Sequence, residues 1–210
     1  MTIERPTWRG RLHAGAFAAA LPAGAWLIIA ADRAAARAAA AIYVGGLLLL
    51  FGTSAAYHCL ARSDRARRIM RRLDHSMIFV LIAATYTPVC LLGLPAAWGI
   101  PVLVVIWTGA LTGVVLKLTA FDRLRWVGYA LYPALGWAAV VAMPALVDHL
   151  TTPQLVLVVL GGLTYSIGMP VLFTKRPNPW PATFGYHEVW HACTVVAAGC
   201  HFAAVVLLVG

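Results

Sequence analysis

The stretch AAAAIYVGGLLLLFGTSAAYHCL, residues 38–60, decides what kind of protein this is. It contains no Asp, Glu, Lys or Arg, and at about 1.5 Å of helix per residue it is long enough to cross the roughly 30 Å hydrocarbon core of a bilayer. No polar stripe runs along it, and its one ionisable imidazole, His58, stands at one end. Reading outward finds six more apolar stretches, at approximately 12–31, 73–94, 98–119, 126–147, 153–173 and 187–209, each bounded by charge, proline or glycine. The core of the first is too long for a cleaved signal peptide. Together the seven occupy about three-quarters of the 210 residues and leave no gap long enough for a soluble domain, so the expected organisation is one membrane domain, 1–210. Hydrocarbon offers backbone amides no partner outside the chain, and the alternation of a barrel strand is absent, so the expected class is all-α with seven transmembrane helices.

The formal net charge of +9 invites a nucleic-acid reading, and the positions of the charges argue against it. Arg5, Arg9 and Arg11, the run Arg62, Arg65, Arg67, Arg68, Arg71 and Arg72, then Lys117, Arg123, Arg125, Lys175 and Arg176 all fall on one side of a seven-span topology. Only Arg33 and Arg37 fall on the other. The positive-inside rule then predicts a cytoplasmic N-terminus and an extracytoplasmic C-terminus, and accounts for the basicity without a polyanionic partner. The bilayer is the expected partner, with Arg62 to Arg72 near anionic headgroups; no protein partner is legible. Cys59, Cys90, Cys193 and Cys200 all lie in spans, where small packing residues are the expected role; Cys59 and Cys193 are near enough to histidines to be weighed as metal ligands.

Ionisable residues inside a membrane are expensive and mark functional sites by default. On this topology His58 ends the second span, Asp74 opens the third, and His187 and His191 occupy the first two turns of the seventh, all at one depth. The two histidines of the seventh span are four apart and share a helix face, which suits two nitrogens on one metal. With His58 they make three neutral imidazoles with an open position, the donor set of a catalytic zinc. Asp74 is placed to orient or deprotonate a water. Ser54, one turn from His58, is placed to donate to a carbonyl oxygen or hold the water. Two blander readings stand beside this: Asp74 as a cap of the third helix, and Ser54 bonded to its own backbone.

The segment His187-Glu188-Val189-Trp190-His191 also satisfies the zinc-protease pattern, with Glu188 as base. That reading leaves Ser54 and His58 without a role, and Glu188 is as well explained by the helix dipole. His75 is turned about 100° from Asp74 and reads as packing. His201 is about 15 Å beyond His191 and reads as a separate polar contact. His13 and His149 read as interfacial, Lys117 as a snorkelling cation, and Gly109-x-x-x-Gly113 as internal packing. Pro88, Pro133, Pro144 and Pro170 are expected to kink their helices and open a lateral cavity.

Ser54-x-x-x-His58, Leu73-Asp74-His75-Ser76 and His187-x-x-x-His191, in this order and spacing, resemble the three signature motifs of the hemolysin III family. That family is related to the progestin and adipoQ receptors and more distantly to the alkaline ceramidases. Thr85-Tyr86-Thr87-Pro88 and Gly199-Cys200-His201-Phe202 extend the resemblance over essentially the whole chain. It implies seven helices, a cytoplasmic N-terminus, zinc on His58, His187 and His191, and a water near Asp74 with Ser54 beside it. Short loops favour the compact bacterial branch, hence a bacterial inner membrane. The expected function is zinc-dependent hydrolysis of a lipid amide or ester. The alternative is a receptor-like or pore-forming protein with structural zinc, although no helix carries the full-length polar stripe of a pore.

Overall fold

The computed structural model describes residues 6–210, so Arg5 lies outside the described residues. The chain is all-helical: α1 (Arg11–Ala30), α2 (Ala34–Leu60), α3 (Asp64–Leu92), α4 (Ala96–Thr119), α5 (Arg125–Gly136), α6 (Met143–His149), α7 (Thr152–Thr174) and α8 (Tyr186–Val209). Among the described residues six of these are long and apolar enough to cross a membrane, and the bent pair α5 and α6 passes the same test when taken together, giving up to seven spans. Large apolar side chains such as Ile29, Val141 and Ile167 face outward, as expected where the surroundings are lipid.

Short turns join α1 to α2, α2 to α3 and α3 to α4, and each of these neighbours packs side by side. The ends of α2, α4 and α7 therefore meet the starts of α1, α3, α5 and α8 at one end of the bundle. Helix α3 is the hub, packed on α2, α4, α5 and α8. One core, built on Leu27, Tyr43, Leu47 and Phe51, joins α1, α2, α3 and α8. A second, built on Phe79, Ile106 and Tyr132, joins α3, α4 and α5. Gly113 allows the second: a Cβ there would press on the buried Phe79 ring, so the glycine pair of α4 serves internal packing.

Two spans differ from the sequence expectation. Helix α3 begins at Asp64, not near residue 73, because the basic run 65–72 is itself helical and Ser63 caps it, accepting from the Ala66 N–H at 3.1 Å. Asp74 thus lies about three turns inside the helix and is not its cap. The span expected at 126–147 is broken: α5 ends in a 3-10 turn, Trp137–Val140, and α6 departs at 48°. Pro144 supplies the reason. Its ring excludes an α-helical carbonyl at Val140, four residues earlier, and it has no N–H to donate there. The Tyr86 hydroxyl repairs the break, accepting from the Ala139 N–H at 2.8 Å and facing the carbonyls of Leu135 and Gly136 at 3.0 and 2.9 Å.

Candidate metal centre

Three histidines meet where α2 ends and α8 begins. His58 projects from the last turn of α2, and His187 and His191 from one face of the first two turns of α8. The Nε2 atoms of His58 and His187 are 3.2 Å apart, and one ring nitrogen from each of the three lies within 4.8 Å of the others. A tetrahedral zinc with Zn–N near 2.05 Å sets its nitrogen ligands about 3.3 Å apart, so this spacing fits one ion. The His191 ring is buried and its Nδ1 has no hydrogen-bond partner among the described residues. The donor set, three imidazoles without a thiolate, suits a borderline-soft divalent metal. Neither Cys59 nor Cys193 belongs to the group.

The start of α8 is fixed from outside the cluster. Glu188 is fully buried: its Oε2 accepts the Gly185 N–H at 2.9 Å, and its Oε1 pairs with Arg9. This carboxylate is therefore occupied in holding the helix start, which removes the structural basis for a protease-like general base. The segment that carries Arg9 is tied down in turn, with the Thr7 and Trp8 N–H groups donating to the Ala182 and Thr183 carbonyls at 3.2 and 3.1 Å. Gly10 adopts φ 82° beside His58, and a Cβ there would lie 2.6 Å from the His58 Cβ. Both the left-handed backbone and the close approach demand glycine.

His13 is the residue that sequence reasoning missed. It is not interfacial: it is 3% exposed, stacked on His191 with ring centroids 3.8 Å apart, and neither of its nitrogens has a hydrogen-bond partner among the described residues. The signal was present, since His13 lies in the first turn of its helix at the same end as the other three.

Asp74 and Ser54 are brought together on neighbouring helices, the Ser54 hydroxyl hydrogen-bonding to the Asp74 carboxylate. Ser54 is one turn from His58, so this pair lies about 6 Å further along the bundle axis than His58. His75, next in sequence, has its Nδ1 3.7 Å from Asp74 Oδ2, but that nitrogen bonds the Arg71 carbonyl at 2.9 Å and the ring packs edge-on to Phe121. His201 is likewise separate, its Nε2 3.2 Å from the Val158 carbonyl. Lys117 does not snorkel. It is 1% exposed, with its ammonium 4.1 Å from the centre of the Tyr129 ring.

Ser54, Asp74, His187 and His191 all border a cavity of about 1150 Å3 whose remaining walls are mainly apolar. Pro133, Gly136 and Met143 from the broken span and Met169, Pro170 and Phe173 from α7 are among them. The break before Pro144 and the proline of α7 both border this space. Its volume is at the upper end of the range for small-molecule cavities.

These features define a class: a polytopic helical membrane protein with a three-histidine group at one end of its bundle, beside an apolar cavity. Residues 1–202 match the family described as haemolysin-III related, and the chain belongs to that family. It is 31% identical over 192 residues to a Hemolysin-3 from Bacillus cereus, covering 90% of this chain and 84% of that one. It is 30% identical over 164 residues to a Hemolysin-3 homolog from Bacillus subtilis (strain 168), covering 78% and 74% respectively.

Proposed function

We propose that this protein is a zinc-dependent hydrolase of a lipid amide or ester, in the inner membrane of a bacterium, with its N-terminus and metal centre on the cytoplasmic side. The carrying observation is that Ser54, Asp74, His187 and His191 open onto one large apolar cavity, so a three-histidine group, a carboxylate and a large apolar space coincide. The distribution of Lys and Arg supports the orientation.

His58, His187 and His191 would hold the ion. A zinc ion there supplies Lewis acidity, which polarises a carbonyl and acidifies water. Asp74 accepts the proton that water loses as its oxygen bonds to the substrate carbonyl carbon, and returns it to the leaving amine or alcohol as the C–N or C–O bond breaks. Ser54 donates to Asp74 and so holds that carboxylate toward the cavity. Its alternative service, to the developing oxyanion, requires its hydroxyl to leave Asp74. The apolar walls exclude bulk water and bind the chain.

The test is hydrolysis of ceramide-like amides and acyl esters by zinc-loaded protein against Asp74→Ala. Turnover by the wild type, lost in the variant with zinc retained, supports the reading. Retained zinc with no turnover by either replaces it with a receptor-like protein carrying structural zinc, and leakage of loaded liposomes replaces it with a pore.

A further inference from the structure

The large cavity does not end at Ser54 and Asp74. It runs on past His201 and Tyr165 to apolar walls that include Leu94, Leu146 and Leu155. His201 stands about 15 Å along α8 from His191, in the interior of the span, where an imidazole is expensive and by default belongs to a site.

Helix α7 sets that imidazole in place. Gly161 leaves the room, since a Cβ there would overlap the His201 ring. The Nε2 atom of His201 lies 3.2 Å from the Val158 carbonyl. A carbonyl oxygen only accepts, so Nε2 carries the proton and Nδ1 presents a lone pair. That lone pair has no hydrogen-bond partner among the described residues, and packing does not seal it off. Tyr165, one turn from Gly161 on the same face of α7, brings its ring centre to 5.9 Å from that of His201. Its hydroxyl also has no hydrogen-bond partner among the described residues and is not sealed; the nearby Tyr43 hydroxyl is spent on the Ala198 carbonyl at 3.3 Å.

The other hydroxyls bordering this part of the cavity are in use. Thr85 and Thr194 bond back to the carbonyls of Leu81 and Trp190 at 2.8 and 3.0 Å, Ser166 to that of Gly162 at 2.8 Å, and Tyr86 serves the broken span. A donor and an acceptor, side by side, are thus left for whatever fills the space. Leaving both unpaired against hydrocarbon is costly, and one hydroxyl satisfies both, donating to Nδ1 and accepting from the Tyr165 O–H. A keto oxygen uses Tyr165 alone. A charged group finds no counter-ion, because Asp74, Arg125 and Lys175, the charged side chains bordering the cavity, stand toward the histidine end.

We propose that Tyr165 and His201 hold a hydroxyl carried on the interior of a bound acyl chain, which makes hydroxylated acyl lipids the substrate class. The assignment rests on the reading of this cavity as the lipid site, with the acyl carbonyl at the histidines. The 15 Å step along α8, shortened because the His201 side chain leans back toward the helix start, matches about ten to twelve carbons of extended chain. The apolar walls beyond take the remainder.

Binding, not turnover, tests it. Full-length protein in detergent is titrated with stearic, 2-hydroxystearic, 12-hydroxystearic and 12-oxostearic acids, which carry no bond to hydrolyse, and followed by native mass spectrometry. The expected result is that 12-hydroxystearic acid binds at least about tenfold more tightly than stearic acid, with the oxo acid between them and no gain for the 2-hydroxy isomer. Tyr165→Phe and His201→Leu should each remove the gain and leave stearic acid unchanged. Tyr165→Phe keeps the ring and its packing, so the test stands even if His201→Leu fails to fold. Binding of 12-hydroxystearic acid no tighter than stearic acid, the outcome for a hydroxyl desolvated without partners, overturns the proposal. A gain that survives Tyr165→Phe, or one equally large for the 2-hydroxy isomer, overturns it as well. Selectivity for the mid-chain hydroxyl without hydrolysis of any acyl lipid would remove the hydrolase reading alone, whereas hydrolysis of unsubstituted acyl lipids without that selectivity would remove this proposal alone.

Discussion

The Nε2 atoms of His58 and His187, 129 residues apart in the chain, face each other across 3.2 Å. At that distance the two rings either share one proton or turn both lone pairs to one ion, and the approach of His191 favours the ion. Purified protein is therefore expected to hold about one zinc per chain, and His58→Ala, His187→Ala and His191→Ala each to lower zinc content by about tenfold or more at matched free zinc. Elemental analysis of protein that still elutes as a folded species reads this directly. Unchanged zinc in all three variants would dispose of the centre.

Arg9 and Glu188 give a prediction about stability. Removing the guanidinium strands a fully buried carboxylate, and breaking a buried pair from one side costs on the order of 3 kcal/mol. Arg9→Gln should therefore lower the thermal unfolding midpoint clearly. Adding Glu188→Gln should restore much of it, because the neutral amide still accepts from Gly185 without needing a cation. A double variant no more stable than Arg9→Gln alone would show that the pair's charges are not what holds the start of α8.

Much of this architecture is legible from residues alone, for a reason specific to membranes. The bilayer forces helices and sets their length, and Arg and Lys clusters mark one end, so the spans and the convergence of His58, His187 and His191 follow from counting. What counting misses depends on side-chain direction. His13 has the right depth, yet only packing shows that it faces His191. Lys117 stands at the end of its helix as a snorkelling residue would, and the aromatic rings of α5 draw it inward instead. The helical run 65–72 is too charged to read as part of a span, so hydropathy alone places the start of α3 too late and leaves Asp74 open to a capping role. Pro144 announced a kink, but not that Tyr86 of α3 would satisfy the backbone it exposes.

That tyrosine carries a third prediction. Tyr86→Phe keeps the ring and removes the hydroxyl that accepts from Ala139 and faces the carbonyls of Leu135 and Gly136. The loss should be about 1–3 kcal/mol, the range for a buried backbone group left without a partner. It should concentrate at the break, as faster amide hydrogen exchange across residues 136–142 with α2 and α3 unaffected. Exchange accelerated evenly through the molecule would mean that the hydroxyl contributes to global stability and not to the bend.

Asp74 and Ser54 separate chemistry from metal binding. Asp74 is not part of the three-histidine group, so Asp74→Asn should keep its zinc. It should lose turnover by about 10²–10⁴-fold, the usual contribution of a positioned acid–base group. Ser54→Ala removes only the hydrogen bond that holds the carboxylate. Its expected loss is smaller, near tenfold, and should fall on kcat with KM little changed, because a poorly oriented base is a transition-state defect. In an Asp74→Asn background the Ser54 substitution should then cost little more, since the group it orients no longer accepts a proton. Independent, multiplying losses would instead place Ser54 on the substrate, at the developing oxyanion, and that cycle measured on one acyl lipid decides between its two services.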